Sequence, residues 1–407
     1  MPPPTAVAEP ARRPATIAGL PAGLPAGLLD RIRNDLADRD AQPTPARVAE
    51  ALRAHGRLLG DAAVLAVAET LGRELMGTGV LAPLLADDRV TDVLVHGADQ
   101  VVVDRGNGLE PTTVRFDDDA AVRRLATRLA SLAGRRLDDA TPYVDARLPS
   151  GERLHAVLSP VSRSGTVISL RVPARRAFTL PELIAARSMS PGIAALLRDV
   201  MDARLAVLVC GGTGSGKTTL LAALLSLVPP DQRIVLVEDS AELAPDHPHT
   251  VHLEARPANA EGVGEITVRT LVRQALRMRP DRLVVGEVRG AEVVDMLAAM
   301  NTGHEGGCGT VHANGSADVP ARMEALGVAA GLDRRAVHSQ LASAVDVVVS
   351  LVRGRDGRRR VHDLSVLVTD DAGFVSARAA AVDGVHEPVA GPGAGRLDQL
   401  LNRRHAT

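Results

Sequence analysis

The sequence predicts an α/β protein: a parallel-sheet domain built around a phosphate-binding loop, preceded by a smaller α+β domain. Three observations predict it. The stretch Gly211-Gly212-Thr213-Gly214-Ser215-Gly216-Lys217-Thr218 fits G-x-x-x-x-G-K-[ST] between an apolar run, Leu205 to Cys210, and an apolar helical pattern, Thr218 to Leu225. After it, short apolar runs alternate with helical patterns, the rhythm of a parallel sheet covered by helices. Before it lie several short strands with alternating character and tight-turn signals, grouped around one helix.

The chain divides by composition. Residues 1–45 hold Pro2, Pro3, Pro4, Pro10, Pro14, Pro21, Pro25, Pro43 and Pro45 among alanines and read as a disordered leader, with one short helix near Leu28 to Leu36. Residues 46–175 form the first domain, opening on a helical lead-in from Val48 to Leu75. Strands are predicted at Thr91 to Val95, Gln100 to Asp104 and, beyond an Asn107-Gly108 turn, Thr112 to Phe116. A helix over Asp119 to Ala133 precedes strands at Tyr143 to Leu148, Arg153 to Ser159 and Thr166 to Val172. Pro173 to Pro181 reads as a linker.

Residues 176–370 form the second domain. Behind the loop helix come a strand at Ile234 to Val237, an irregular stretch carrying Pro245, Pro248 and Pro257, a helix over Thr267 to Met278, and the strand Leu283 to Gly286. A helix at Ala291 to Met300, a strand at Thr310 to His312 and helices near Pro320 to Leu326 and Arg334 to Ser343 follow. Val345 to Leu351 and Val361 to Val368 predict a closing hairpin whose arginines, Arg353 to Arg360, read as solvated. The Gly- and Ala-rich residues 371–407 read as a flexible tail.

Composition narrows the function. The chain has 407 residues, no Trp, one Tyr and three Phe, so aliphatic side chains must build its cores. A net charge of -2 and a pI near 6.6 argue against nucleic-acid binding through bulk charge. No apolar stretch approaches the roughly 18 residues of a membrane span and no signal-peptide pattern opens the chain, so a soluble, cytosolic protein is expected. Cys210 and Cys308 form no C-x-x-C pair and are expected to be free thiols.

The loop's chemistry is specific. Lys217 is the one lysine among 47 basic residues, and it stands where a compact ammonium suits a narrow phosphate cradle better than a forked guanidinium. Gly211, Gly212, Gly214 and Gly216, with Thr213 and Ser215, let backbone N–H groups and the helix end wrap an anion. Lys217 then reaches the terminal phosphates, and Thr218, followed by Thr219, offers a hydroxyl to Mg²⁺. Hydrolysis of a bound ATP needs a metal-side acid and a group that orients water. Glu287 at the end of its strand fits the first, directly or through water, and Glu238 the second, both on strands neighbouring the loop. His304, Cys308 and His312 have metal-like spacing, but the glycines among them disfavour a helix and a zinc cage. His247, His249 and His252 read as surface-loop histidines.

Further blocks carry a family resemblance: Val237-Glu238-Asp239-Ser240-Ala241-Glu242-Leu243, Leu253-Glu254-Ala255-Arg256-Pro257, Ala275 to Arg282, Val285-Gly286-Glu287-Val288-Arg289-Gly290, and Met300 to Gly306 through His312-Ala313-Asn314. Over about Leu75 to Leu351 the chain resembles the secretion ATPases of the type II and type IV superfamily, closest to the CpaF/TadA branch of Flp (Tad) pilus assembly. The resemblance implies a RecA-like ATPase domain behind a PAS-like N-terminal domain, with ATP and Mg²⁺ as cofactors. It implies a homo-hexamer at the cytoplasmic face of the inner membrane, moving a polytopic platform protein. It makes Glu238 the catalytic acid of an Asp box, Glu287 the Walker B acid and His312 part of a His box contacting the γ-phosphate region. Arg153 and Arg171, with Arg147 weaker, would be arginines lent to the nucleotide by the N-terminal domain. Two further readings stand beside the motor: a DNA-transfer ATPase of a conjugation apparatus, and a nucleotide-gated scaffold without turnover. An ABC-type cassette is disfavoured because no LSGGQ-like signature follows the loop.

Overall fold

The computed structural model describes residues 77–405 except 107, 174–175, 257, 259–262, 302–304, 355 and 385–386, together with positions 32, 45–55, 60, 63–65 and 67. The expected disordered leader lies outside the described residues, apart from position 32 and the first turn of helix α1 (Pro45–Ala54). The chain forms two compact units, Met1–Pro173 and Ala174–Thr407.

The first unit is a six-stranded antiparallel sheet. Its strands are β1 (Asp92–His96), β2 (Gln100–Asp104), β3 (Leu109–Pro111), β4 (Tyr143–Arg147), β5 (Arg153–Val157) and β6 (Val167–Arg171), in the order β3-β2-β1-β6-β5-β4. Beyond the short helix α2 (Ala82–Leu85), helix α3 (Asp119–Leu132) covers the sheet. Val122, Leu125, Ala126, Leu129 and Ala130 recur at helical spacing and bury against Val93, Val95, Leu154, Ala156, Ile168 and Leu170, the alternate residues of three strands. Asp118 caps α3, its Oδ1 accepting from the N–H of Ala121 at 2.6 Å.

The strand expected at Thr112 to Phe116 is displaced. Pairing of Asp104 with Leu109 and Val102 with Pro111 starts β3 directly at the turn. As an edge strand, β3 tolerates a proline that donates nothing to the ladder.

The second unit opens with α4 (Leu180–Ala185) and α5 (Pro191–Asp202), two helices the linker reading missed. Thr179 and Glu182 form a reciprocal capping box on α4, and Ser190 caps α5 ahead of Pro191. Then follow β7 (Val207–Gly211), α6 (Lys217–Leu225), β8 (Ile234–Glu238), β9 (Thr250–Glu254), α7 (Val268–Ala275), β10 (Arg282–Val288), α8 (Glu292–Asn301), β11 (Cys308–Val311), α9 (Val319–Ala329), α10 (Arg334–Ala344), β12 (Val347–Arg353), β13 (Arg359–Thr369), β14 (Val375–Val382), β15 (Val389–Ala390) and α11 (Ala394–His405). The sheet order is β15-β14-β13-β12-β7-β11-β10-β8-β9. From β12 to β9 neighbouring strands run parallel, whereas β13, β14 and β15 add an antiparallel wing.

Both faces of the parallel part are buried, which explains its unbroken apolar runs. On β7, Val207 and Val209 pack with α5, α6 and α11, while Leu208 and Cys210 pack with α7, α8, α9 and α10. Burial pushes the thiol of Cys210 up to about 12 and that of Cys308 up to about 11, so the two free cysteines are inert packing groups.

Two expectations are corrected. The proline-bearing stretch after β8 holds the edge strand β9, in which Ile234 pairs with Thr250 and Glu238 with Glu254. Residues 371–407 are not a loose tail: β14 pairs along β13, and α11 buries Leu397 in the β7 core. Its glycines serve close approach, since a Cβ on Gly391 or Gly393 would stand 2.3 Å and 2.6 Å from backbone oxygens of Ala379 and Arg378.

Candidate functional site

The loop between β7 and α6 is shaped by glycine. Gly214 and Gly216 have φ of 69° and 96°, conformations costly to any residue with a Cβ, and Gly216 is the residue from which α6 starts. Gly212, Thr213 and Gly214 are exposed, so the mouth of the loop is open. Ser215 is buried, and its hydroxyl finds no hydrogen-bond partner among the described residues.

Lys217 turns back into this cradle. Its Nζ donates to the carbonyls of Gly211 and Gly212, both at 3.1 Å, and stands 3.4 Å from Nδ1 of His312. Burial lowers the pKa of the ammonium, an effect opposed by the charge of Glu287. The other ring nitrogen of His312, Nε2, lies 2.5 Å from Oε1 of Glu287. A neutral imidazole satisfies both contacts in one tautomer: Nε2–H donates to the carboxylate, and Nδ1 accepts from the ammonium. Lys217, His312 and Glu287 thus form one hydrogen-bonded row.

The strand order departs from the expected immediate neighbours. β7 lies between β11 and β12, β10 with Glu287 comes one strand further, and β8 with Glu238 one beyond that. The two acids still meet, because β8 and β10 pair directly, Val237 opposite Val285. Glu238 is buried, its Oε1 accepting from the N–H groups of Glu242 and Leu243 at 2.9 Å each. Those bonds favour the anion, but burial outweighs them and pushes its pKa up from 4.5 to about 7.

Gly286 makes room for that side chain, since a Cβ there would be 2.6 Å from Cγ of Glu238. Gly286→Ala is therefore expected to displace the carboxyl and cut ATP turnover by at least about tenfold, at a cost of roughly 1–3 kcal/mol in stability. Phosphate release and a urea melt, measured side by side, check it; wild-type turnover would show that the position of Glu238 is immaterial.

Sequence reasoning overlooked Arg289. Its guanidinium pairs with Asp239 and reaches Oε2 of Glu287 at 4.0 Å, joining the ends of β8 and β10. A basic residue two positions beyond a strand-end acid was the available signal. Glu292, at the start of α8, accepts from the N–H groups of Arg289 and Gly290 at 2.7 Å and so fixes that turn.

The first unit brings its arginines into one row. Arg147 pairs across the ladder with Arg153, and Arg153 with Arg171. Arg153 also forks onto Asp145, with Nη2 to Oδ2 at 3.0 Å. His304 lies outside the described residues, and Cys308 sits buried in β11. His247 and His249 belong to a local turn, with the N–H of His249 donating to Nδ1 of His247 at 3.2 Å, whereas His252 stands in β9. Among the described residues no group of three or more His, Cys, Asp or Glu side chains is placed to hold a metal. A Mg²⁺ that takes most of its oxygens from substrate phosphates and water needs only one or two protein ligands, the number that the expected pair Thr218 and Glu287 would supply. The open cradle, the unsatisfied Ser215 hydroxyl and the inward ammonium fit a nucleoside polyphosphate.

The family model described as type II/IV secretion system protein matches residues 74–387. A putative conjugal transfer protein of Mycobacterium tuberculosis is 62% identical over 316 residues, covering 76% of this chain and 90% of that protein. The type IV secretion system protein VirB11 of Brucella suis is 33% identical over 314 residues, covering 70% of this chain and 85% of its own length. In fold, the chain is similar to the ATPase DotB of Yersinia pseudotuberculosis, with a TM-score of 0.52 at 18% identity over 72% of this chain and 79% of that one. The loop, the strand-end acids and these relatives converge on one assignment: the chain belongs to the type II/IV secretion system protein family.

Proposed function

We propose that this chain is an ATP-hydrolysing motor of a secretion or pilus-assembly apparatus, working as a homo-hexamer. The observation that carries the proposal is the hydrogen-bonded row Lys217–His312–Glu287 at the mouth of a glycine loop. Lys217 holds the terminal phosphates, and backbone N–H groups from Gly211 to Thr219 hold the rest. Thr218 and Glu287 would hold Mg²⁺, which when bound would offset phosphate charge. Glu238 takes the proton of the attacking water, a role suited by a pKa near neutrality. When a γ-phosphate draws Lys217 away from the loop carbonyls, His312 shares the change with Glu287, so the row senses whether the phosphate is present. Arg153 and Arg171 remain the candidates for neutralising charge that develops in transfer.

In this reading the ring lies at the inner face of the membrane and engages a polytopic platform protein. No helix among the described residues is long and apolar enough to cross a bilayer. The CpaF/TadA-like blocks favour pilus assembly. The relative named for conjugal transfer favours the second reading, a DNA-transfer ATPase of a conjugation apparatus. A net charge of -2 gives no general pull on nucleic acid, which supports a protein platform as the partner in the pilus reading.

The test is phosphate release from MgATP by the purified full chain at rising protein concentration, with sedimentation in parallel. Turnover per subunit should climb as hexamers form. Full turnover by monomers would overturn the ring, and no release at any concentration would overturn the motor.

A further inference from the structure

The hairpin joining β12 to β13 reaches past the end of β7 and lies against the phosphate loop. Leu351 on β12 pairs with Gly211, and two residues on, Arg353 stands directly opposite Arg359 of β13. Nη1 of Arg353 is 3.9 Å from where a Cβ on Gly214 would sit, and Cδ of Arg359 is 3.5 Å from the corresponding point on Gly216. Two arginines of one hairpin thus flank the two loop glycines whose positive φ shapes the cradle.

The pair is electrostatically unbalanced. Like charges directly opposite on a ladder repel. The one acid in the turn, Asp356, is engaged by Arg360 and by the N–H of Arg358. Arg353 spends Nε on the carbonyl of Gly357 at 3.2 Å, which aims the rest of its guanidinium. The turn itself is closed by the N–H of Gly354 donating to the carbonyl of Arg358 at 2.8 Å. Two cations therefore stand side by side at the lip of the loop, an arrangement complementary to an anion of more than one charge.

We infer that Arg353 and Arg359 are nucleotide-binding residues that clasp the polyphosphate of a bound nucleoside triphosphate from outside the loop, opposite the grip of Lys217. Guanidinium forks match phosphate oxygens, and the bound anion relieves the repulsion between the arginines. The inference rests on the nucleotide reading of the loop and assigns to that site a clasp supplied by the same subunit.

Calorimetric titration of the full chain with a non-hydrolysable ATP analogue, and separately with inorganic tripolyphosphate, tests it. The Arg353→Ala, Arg359→Ala double variant should bind both probes at least about tenfold more weakly than wild type. Its own melting temperature without ligand should not fall, because a like-charge pair is removed, whereas the rise in melting temperature on adding the analogue should shrink. The Arg353→Lys, Arg359→Lys variant should recover part of the affinity, since charge is kept and the fork is lost. Unchanged affinity for the analogue in the alanine variant overturns the clasp while leaving the nucleotide reading intact. Weaker analogue binding with unchanged tripolyphosphate binding overturns the assignment to phosphate. A wild-type chain that binds neither probe sinks the nucleotide reading and the clasp together.

Discussion

Lys217→Ala protein is expected to release no phosphate from MgATP above about a thousandth of the wild-type rate, a loss of the size seen when one preorganised charge donor is removed from a reacting oxyanion. The expectation follows from the ammonium's surroundings. Its contacts are two loop carbonyls and an imidazole, none of them a carboxylate, so the cation makes no direct ion pair before an anion arrives. Burial already lowers its pKa, so alanine removes a desolvated charge and no ion pair. The melting temperature without nucleotide should therefore hold, and its rise on adding MgATP should vanish. Lys217→Arg should not restore turnover, because a planar fork does not fit between Gly211, Gly212 and His312. Substantial turnover by either variant would mean that the loop is not the nucleotide site.

Glu238→Gln should separate binding from chemistry. Nucleotide affinity is expected to stay within a few-fold of wild type, while turnover falls by about a thousandfold, the range for a lost general base. Stability moves the other way. With a folded pKa of about 7 against an ordinary 4.5, the native state holds a proton that the unfolded chain has released, so wild-type stability falls as pH rises from 4.5 through 7. The full penalty, about 3 kcal/mol, is present above pH 7. A glutamine keeps the acceptor for the N–H groups of Glu242 and Leu243 and carries no charge. The variant should thus be more stable than wild type at pH 8 and equal to it near pH 4, as read by urea denaturation across that range. Wild-type turnover should rise with pH through 7 as the base ionises. A variant as active as wild type would move the base elsewhere, and one no more stable at pH 8 would show that the carboxyl is not desolvated.

Much of this site was legible because its signals are local. The glycines, Lys217 and the acids at Glu238 and Glu287 each follow an apolar strand in sequence, and strand ends can be read without knowing the sheet. Strand order could not be read, because β7 is flanked by β11 and β12, which arrive from far along the chain. The same ignorance hid Arg353 and Arg359: a cluster of arginines around a glycine turn looks solvated until the hairpin is laid beside the loop. β9 was masked by the prolines on either side of it, Pro245, Pro248 and Pro257, and the last segment by its glycines, which permit backbone contact with Arg378 and Ala379. Arg147, Arg153 and Arg171 were individually visible among many arginines, while their alignment depends on the register of three strands.

The position of β7 also governs the order in which the molecule can be made. Val207 pairs with Val347, so the strand that carries the loop waits for a partner about 140 residues later (347 − 207 = 140). A ribosome that has yet to deliver Leu351 leaves Gly211 without the backbone that packs against it, and the emerging domain presents bare apolar strand edges. Completion of the loop's surroundings is accordingly a late event of biosynthesis, and a chain cut short before β12 is expected to leave that edge of β7 bare.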